Sequence, residues 1–176
     1  MLHSLQLLPG VTLRCFRDDR FKQGCLSLQF LRPMCPEEAS LNALLPAVLL
    51  RGCREYPDLR SITQRLDDLY GASVSALARR VGDYQTTGFY CAFMDDRFAL
   101  AGDRILEPVI DLVRMLLLEP VVHDESFSPE FVESEKQNLT AAIESDLNDK
   151  RAYAMDKLMR KMCRGRILPH EGGKYC

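Results

Sequence analysis

The chain has 176 residues, 47% hydrophobic and 27% charged, with a formal net charge of −2. Ordinary apolar content and small net charge exclude a disordered chain, and the charge balance excludes a basic nucleic-acid binder. Ten Gly and nine Pro exclude a fibre, and the length suits about one domain with a real core.

Seven cysteines, an odd number with no CxxC spacing, do not read as a secreted disulfide scaffold. They read as small buried hydrophobes in a reducing cytoplasm. The start, Met1 to Gly10, lacks a basic segment, and its short apolar stretch stops at Pro9-Gly10, against a signal peptide. Wholly apolar runs such as Met115 to Leu118 are only a few residues long, far below the ~20 residues that cross a bilayer.

Val11 to Cys15 alternates apolar and polar, which predicts a strand with one buried face. Asp18-Asp19-Arg20 reads as a turn. Cys25 to Leu31 alternates again, and the two runs are expected to pair antiparallel until Pro33 breaks the ladder. Glu37 to Arg51 turns helical, with Leu41, Leu44, Leu45, Val48 and Leu49 on one face and Gly52 as its stop. Pro46 should kink that helix or force a later start. Asp58 caps a second helix, Leu59 to Tyr70, buried through Ile62, Leu66 and Leu69 and ended by Gly71.

Strands follow at Ser73 to Val81 and Gln85 to Met94, joined by Gly82-Asp83, with Phe89, Cys91 and Phe93 on one face. After Gly102-Asp103, a third helix carries Ile105, Leu106, Val109, Ile110, Val113, Leu116 and Leu117 as its apolar stripe. Ser128-Pro129 opens a long polar helix running to about Cys163, interrupted near Asn148-Asp149. Paired strands followed by helices predict an α+β fold: a largely antiparallel sheet with helices packed on one face.

Motifs for chemistry are sparse. His3, His123 and His170 are too far apart for two to share a helix face. The chain carries no GxSxG elbow and no phosphate-binding glycine pattern. Asp124 and Glu125 beside His123 read as a solvated loop, and Arg54 and Arg79-Arg80 as surface charge. Glu130, Glu133, Glu135, Glu144 and Asp146 make an acidic helix with ordinary Glu133–Lys136 and Asp146–Lys150 pairing.

Three segments nonetheless resemble one family. They are Leu49-Leu50-Arg51-Gly52-Cys53-Arg54-Glu55-Tyr56-Pro57, then Leu66-Asp67-Asp68-Leu69-Tyr70-Gly71-Ala72 before two strands, and Phe131-Val132-Glu133-Ser134-Glu135-Lys136 before Ile143. Their order and spacing, from about Leu8 to Gly165, are similar to the insulinase-like, pitrilysin-type M16 zinc metallopeptidases. In that family an inverted HxxEH on the first helix gives two zinc-binding His and a general-base Glu. A later helix gives a third, Glu ligand.

The resemblance places Ala43 and Ala47 at the two His positions, Pro46 at the base and Ala142 at the later ligand, with Glu135 at a supporting acidic position. It therefore implies no catalytic residue, no metal site and no cofactor. The Leu44-Leu45-Pro46 run resembles bacterial members of the non-catalytic kind. The resemblance implies that residues 1–165 form an incomplete N-terminal M16 domain, with a disordered tail at 166–176. It implies a partner, an HxxEH-bearing homologue, and an unfolded peptide enclosed between the two. Missing strands would leave sheet edge and apolar surface exposed. Two other readings stay open from sequence: an unrelated α+β protein-interaction domain, and an active peptidase with an unrecognised site.

Overall fold

The computed structural model describes residues 2–124, 126–146 and 148–162. Its centre is an antiparallel sheet of three strands in the order β3 (Gln23–Pro33), β5 (Tyr84–Met94), β4 (Ser73–Val81). The β4–β5 hairpin turns at Gly82-Asp83 as the sequence predicts, with Val81 opposite Tyr84. β3 pairs with β5 along its whole length, from Gln23↔Met94 to Pro33↔Tyr84.

Helices cover one face of this sheet. α2 (Leu59–Asp68) begins at Asp58, whose side chain accepts from the Ser61 N–H at 2.7 Å in a capping box. α3 (Leu106–Leu118) brings Val109, Leu112, Val113 and Leu116 onto Phe89, Cys91 and Phe93 of β5, with Ile62 and Leu69 closing the core. Those side chains are almost fully buried, and each such burial contributes about 1.5–3 kcal/mol. Gly88 of β5 sits opposite Gln29 of β3. Its φ is +151°, and an added Cβ would stand 2.1 Å from the Leu28 carbonyl oxygen.

α1 (Pro36–Leu49) packs across β4 and β5. Buried Gln85 ties it down: its Nε2 donates to the Ala39 carbonyl at 2.9 Å, and its Oε1 accepts from Asn42 Nδ2 at 3.3 Å. α4 (Pro129–Asp146) lies against α1, and α5 (Lys150–Met162) follows after the predicted break at Asn148-Asp149. No helix among the described residues is long and apolar enough to cross a membrane.

Several expectations are corrected. Val11 to Cys15 pairs with an unpredicted strand rather than with Cys25 to Leu31: β1 (Leu2–Leu8) and β2 (Val11–Phe16) form their own hairpin around Pro9-Gly10. β1 escaped notice because Leu7-Leu8 breaks its alternation, where the register shifts between Gln6 and Leu8. The nearest-neighbour turn captured β2, which left β3 to the longer β5. Nor does β2 have a buried face; every residue of the hairpin is exposed, including Leu5, Leu13 and Phe16.

α1 buries Ala39, Ala43, Pro46, Val48 and Leu49, while Leu41 and Leu45 face solvent. Val48 and Leu49 are thus buried as the predicted stripe requires, and Ala39, Ala43 and Pro46 complete the face in place of Leu41 and Leu45. α1 also runs through Pro46 without a later start. Gly52 lies beyond the helix end, and serves a close approach instead: a Cβ there would meet the Pro57 carbonyl oxygen at 2.6 Å. α2 stops at Asp68, Leu106 and Ile110 of α3 face outward, and a small hairpin, β6 (Val122–His123) with β7 (Ser126–Phe127), was not anticipated. The tail at 166–176 lies outside the described residues.

Candidate functional site

Helical spacing puts Ala43 and Ala47 one turn apart on the same side of α1. On α4, Glu135, Asn138, Leu139 and Ala142 fall at i, i+3, i+4 and i+7, again one side. The structure turns these two sides toward each other over β4. Together Ala43, Leu44 and Ala47, the four α4 residues, and Ala76 and Ala78 of β4 line a cleft of about 190 Å³. The positions that the resemblance assigns to the two His and the third ligand thus converge in space. Pro46 does not line the cleft; it is buried within α1.

Arg51, just past the end of α1, bonds to the cleft-lining Glu135. Its Nε donates to Glu135 Oε1, and its Nη2 donates to Ser134 Oγ at 2.9 Å. The pair is largely withdrawn from water, with 24% of the Arg51 side chain and 14% of the Glu135 side chain exposed. Asn138 Nδ2 also donates to Glu135 Oε1, at 3.3 Å. The carboxylate therefore has a guanidinium and a carboxamide already on it.

These residues do not fit a zinc ion. Zinc takes His, Cys or carboxylate donors, usually three from the protein in a catalytic site. Alanine methyls offer no lone pair, and Glu135 is engaged by a cation. Elsewhere, His3 and His123 are exposed on separate hairpins, and His170 lies outside the described residues. No group of three or more His, Cys, Asp or Glu able to hold a metal occurs among the described residues.

The remaining candidates separate. Arg80 donates through Nε to the Gly82 carbonyl at 2.5 Å and pairs with Asp83 at 3.7 Å, while Arg54 is exposed. Glu133 and Lys136 form the expected exposed pair at 3.4 Å. Cys53 and Cys91 are buried as expected, and burial pushes the Cys91 thiol up to about 11. Cys15 and Cys25 are exposed, against expectation, because they lie on solvent-facing strand positions. Cys35 is half-buried, and its hydrogen bond to Glu37 at 2.9 Å raises its pKa. Cys163 and Cys176 lie outside the described residues. A wider depression of about 580 Å³ runs over Leu59, Arg60, Thr63, Gln64 and Asp67, but α2 alone lines it.

Sequence reasoning passed over Arg51, Asn138, Ala76 and Ala78 as site residues. Arg51 had a signal, since it extends the Ala43–Ala47 spacing by a further four residues. The β4 alanines had none, because their place in the cleft depends on how α4 returns to the sheet.

No family model matches the chain. Over 155 residues it is 29% identical to the "Probable inactive metalloprotease YmfF" of Bacillus subtilis (strain 168), covering 88% of this chain and 36% of that protein. A conserved protein from Enterococcus faecalis V583 matches in structure with a TM-score of 0.84 and 24% identity, over 98% of this chain and 41% of that one. A peptidase M16 inactive domain from Pseudomonas fluorescens matches with a TM-score of 0.66 and 14% identity, over 99% of this chain and 39% of that one. The chain spans well under half the length of each. The chain therefore shares the α+β fold, with helices on one face of an antiparallel sheet, of a peptidase M16 inactive domain, and is similar in sequence to a probable inactive metalloprotease.

Proposed function

We propose that residues 1–165 act as a non-catalytic M16-like unit. It binds an extended peptide, an HxxEH-bearing homologue, or both, in the cytoplasm of a bacterium. The observation that carries this reading is the cleft itself: Ala43, Ala47 and Ala142, to which the resemblance assigns the places of two imidazoles and a carboxylate, line it together. A site with no metal donors and no free acid–base group supplies neither a polarised water nor a proton acceptor. What remains to it is recognition. β4 supports peptide binding, because an exposed sheet edge can accept a further strand, and among the described residues no strand pairs with its outer side.

The test is affinity purification of the tagged chain from its source cell. The expected result is stoichiometric recovery of a homologue carrying HxxEH, with no peptidase activity in the chain alone. Recovery of the chain without such a homologue would overturn the homologous partner, and zinc-dependent cleavage of a peptide by the pure chain would overturn the non-catalytic reading.

A further inference from the structure

α5 stands apart from the rest of the fold. α1 packs on β4, β5 and α4, but α5 makes no comparable contact with another element among the described residues. Its sequence nonetheless follows the helical period. Met155, Leu158, Met159 and Met162 fall at i, i+3, i+4 and i+7 and form one apolar stripe. All four are open to solvent, from 50% exposed at Leu158 to 71% at Met162. Lys150, Lys157 and Lys161 fall at i, i+7 and i+11, a second stripe turned away from the first. The Lys157 ammonium lies 5.1 Å from the centroid of the Tyr153 ring, which places Tyr153 on the basic side.

An exposed apolar stripe marks a surface that is covered in use. Charge indicates by what. The 13 residues of α5 include five Lys or Arg and one acid, Asp156, in a chain whose net charge is −2. A fitting cover is therefore anionic. The stripe lacks the aromatic anchor that typically seats a helix in a protein pocket. Its three thioether side chains are unbranched and adapt to a partner of no fixed shape. A basic helix with one apolar side lies in the plane of a bilayer interface, and its lysine stems reach up to the headgroups. At 13 residues α5 is too short to cross the bilayer instead.

We infer that α5 is an interfacial helix that docks this chain on an anionic phospholipid surface. Met155, Leu158, Met159 and Met162 enter the acyl boundary, and Lys150, Lys157 and Lys161 hold the headgroups. This stands independently of what the cleft binds.

Co-sedimentation of the full chain with vesicles tests this, using phosphatidylcholine alone and an equal mixture of phosphatidylcholine and phosphatidylglycerol. The chain is expected to sediment with the anionic vesicles and to stay in solution with the neutral ones. Raising salt from ~0.1 M to ~1 M should weaken binding, because screening shortens the reach of the lysines from about 10 Å to about 3 Å. Lys150→Gln/Lys157→Gln/Lys161→Gln should lower the partition coefficient at least ~tenfold. Leu158→Gln/Met159→Gln leaves the charge unchanged and should lower it at least as much. None of these positions belongs to the core, so both variants should keep the parent's circular dichroism. Equal binding to the two vesicles, binding to neither, or binding that survives either variant overturns the assignment. So does self-association without lipid that the lysine variant abolishes, since the partner is then an acidic protein surface.

Discussion

The α3–β5 core and the α1–α4 cleft are built on opposite principles. The core interlocks Phe89, Phe93, Ile105, Leu112 and Leu116 with almost no exposure. The cleft brings together alanines, and its Glu135 forms an ion pair with Arg51, 84 residues away in sequence. None of Ala43, Ala47 and Ala142 belongs to the α3–β5 core cluster, so the side chains at these positions can differ without touching that core.

The contrast is broken most severely from the core side. Leu112→Ala should cost about 2–5 kcal/mol, since a close-packed interior cannot collapse fully around the lost side chain. Urea denaturation with an unchanged m-value would show it. A midpoint near the parent's would mean the stability lies elsewhere.

Next in size is the ion pair. Arg51→Met leaves Glu135 largely buried beside Asn138 alone, and about 1–3 kcal/mol should be lost. Adding Glu135→Gln should recover part of that, because no unpaired charge then remains. The double-mutant cycle reads the coupling directly, and additive losses would show that the pair does not join α1 to α4.

The core also carries a pH signature. Burial holds the Cys91 thiol neutral up to about 11, whereas in the unfolded chain it ionises near ~8.5. A folded value above the unfolded one gives a contribution fully present below about 8.5. That contribution is lost as pH rises toward the folded value. Stability should therefore decline above about pH 9 through this thiol, and Cys91→Ala should flatten the decline. A thiol reagent at neutral pH should label exposed Cys15 and Cys25 quickly and buried Cys53 and Cys91 only as fast as the chain opens.

The smallest effect belongs to the surface of α4. Lys136→Ala removes an exposed pair with Glu133 and should change stability by less than about 0.5 kcal/mol. A larger loss would mean that α4 is held by its outward charges rather than by Arg51.

The sequence was most legible where period and turn chemistry agreed. The β4–β5 hairpin, the Asp58 cap and the Phe89-Cys91-Phe93 face are local patterns, and all three stand where predicted. α1 was legible as a helix and misleading as a surface. Its predicted stripe held for Val48 and Leu49, while Ala39, Ala43 and Pro46 take the buried places expected of Leu41 and Leu45. Strand pairing was legible only between neighbours; whether β2 meets β1 or β3 depends on competition between partners. The cleft was legible in part. The resemblance marked Ala43, Ala47 and Ala142, but neither the opposing β4 wall nor Arg51 on Glu135 could be read before α4 was placed.

The most direct test of the central claim is zinc titration by calorimetry, on the chain and on its Ala43→His/Ala47→His/Ala142→Glu variant. If the cleft is the family's metal position emptied of donors, the chain shows no stoichiometric zinc site and the variant gains one, with its circular dichroism unchanged. One zinc bound per unaltered chain, or a folded variant that gains no site, would contradict the account.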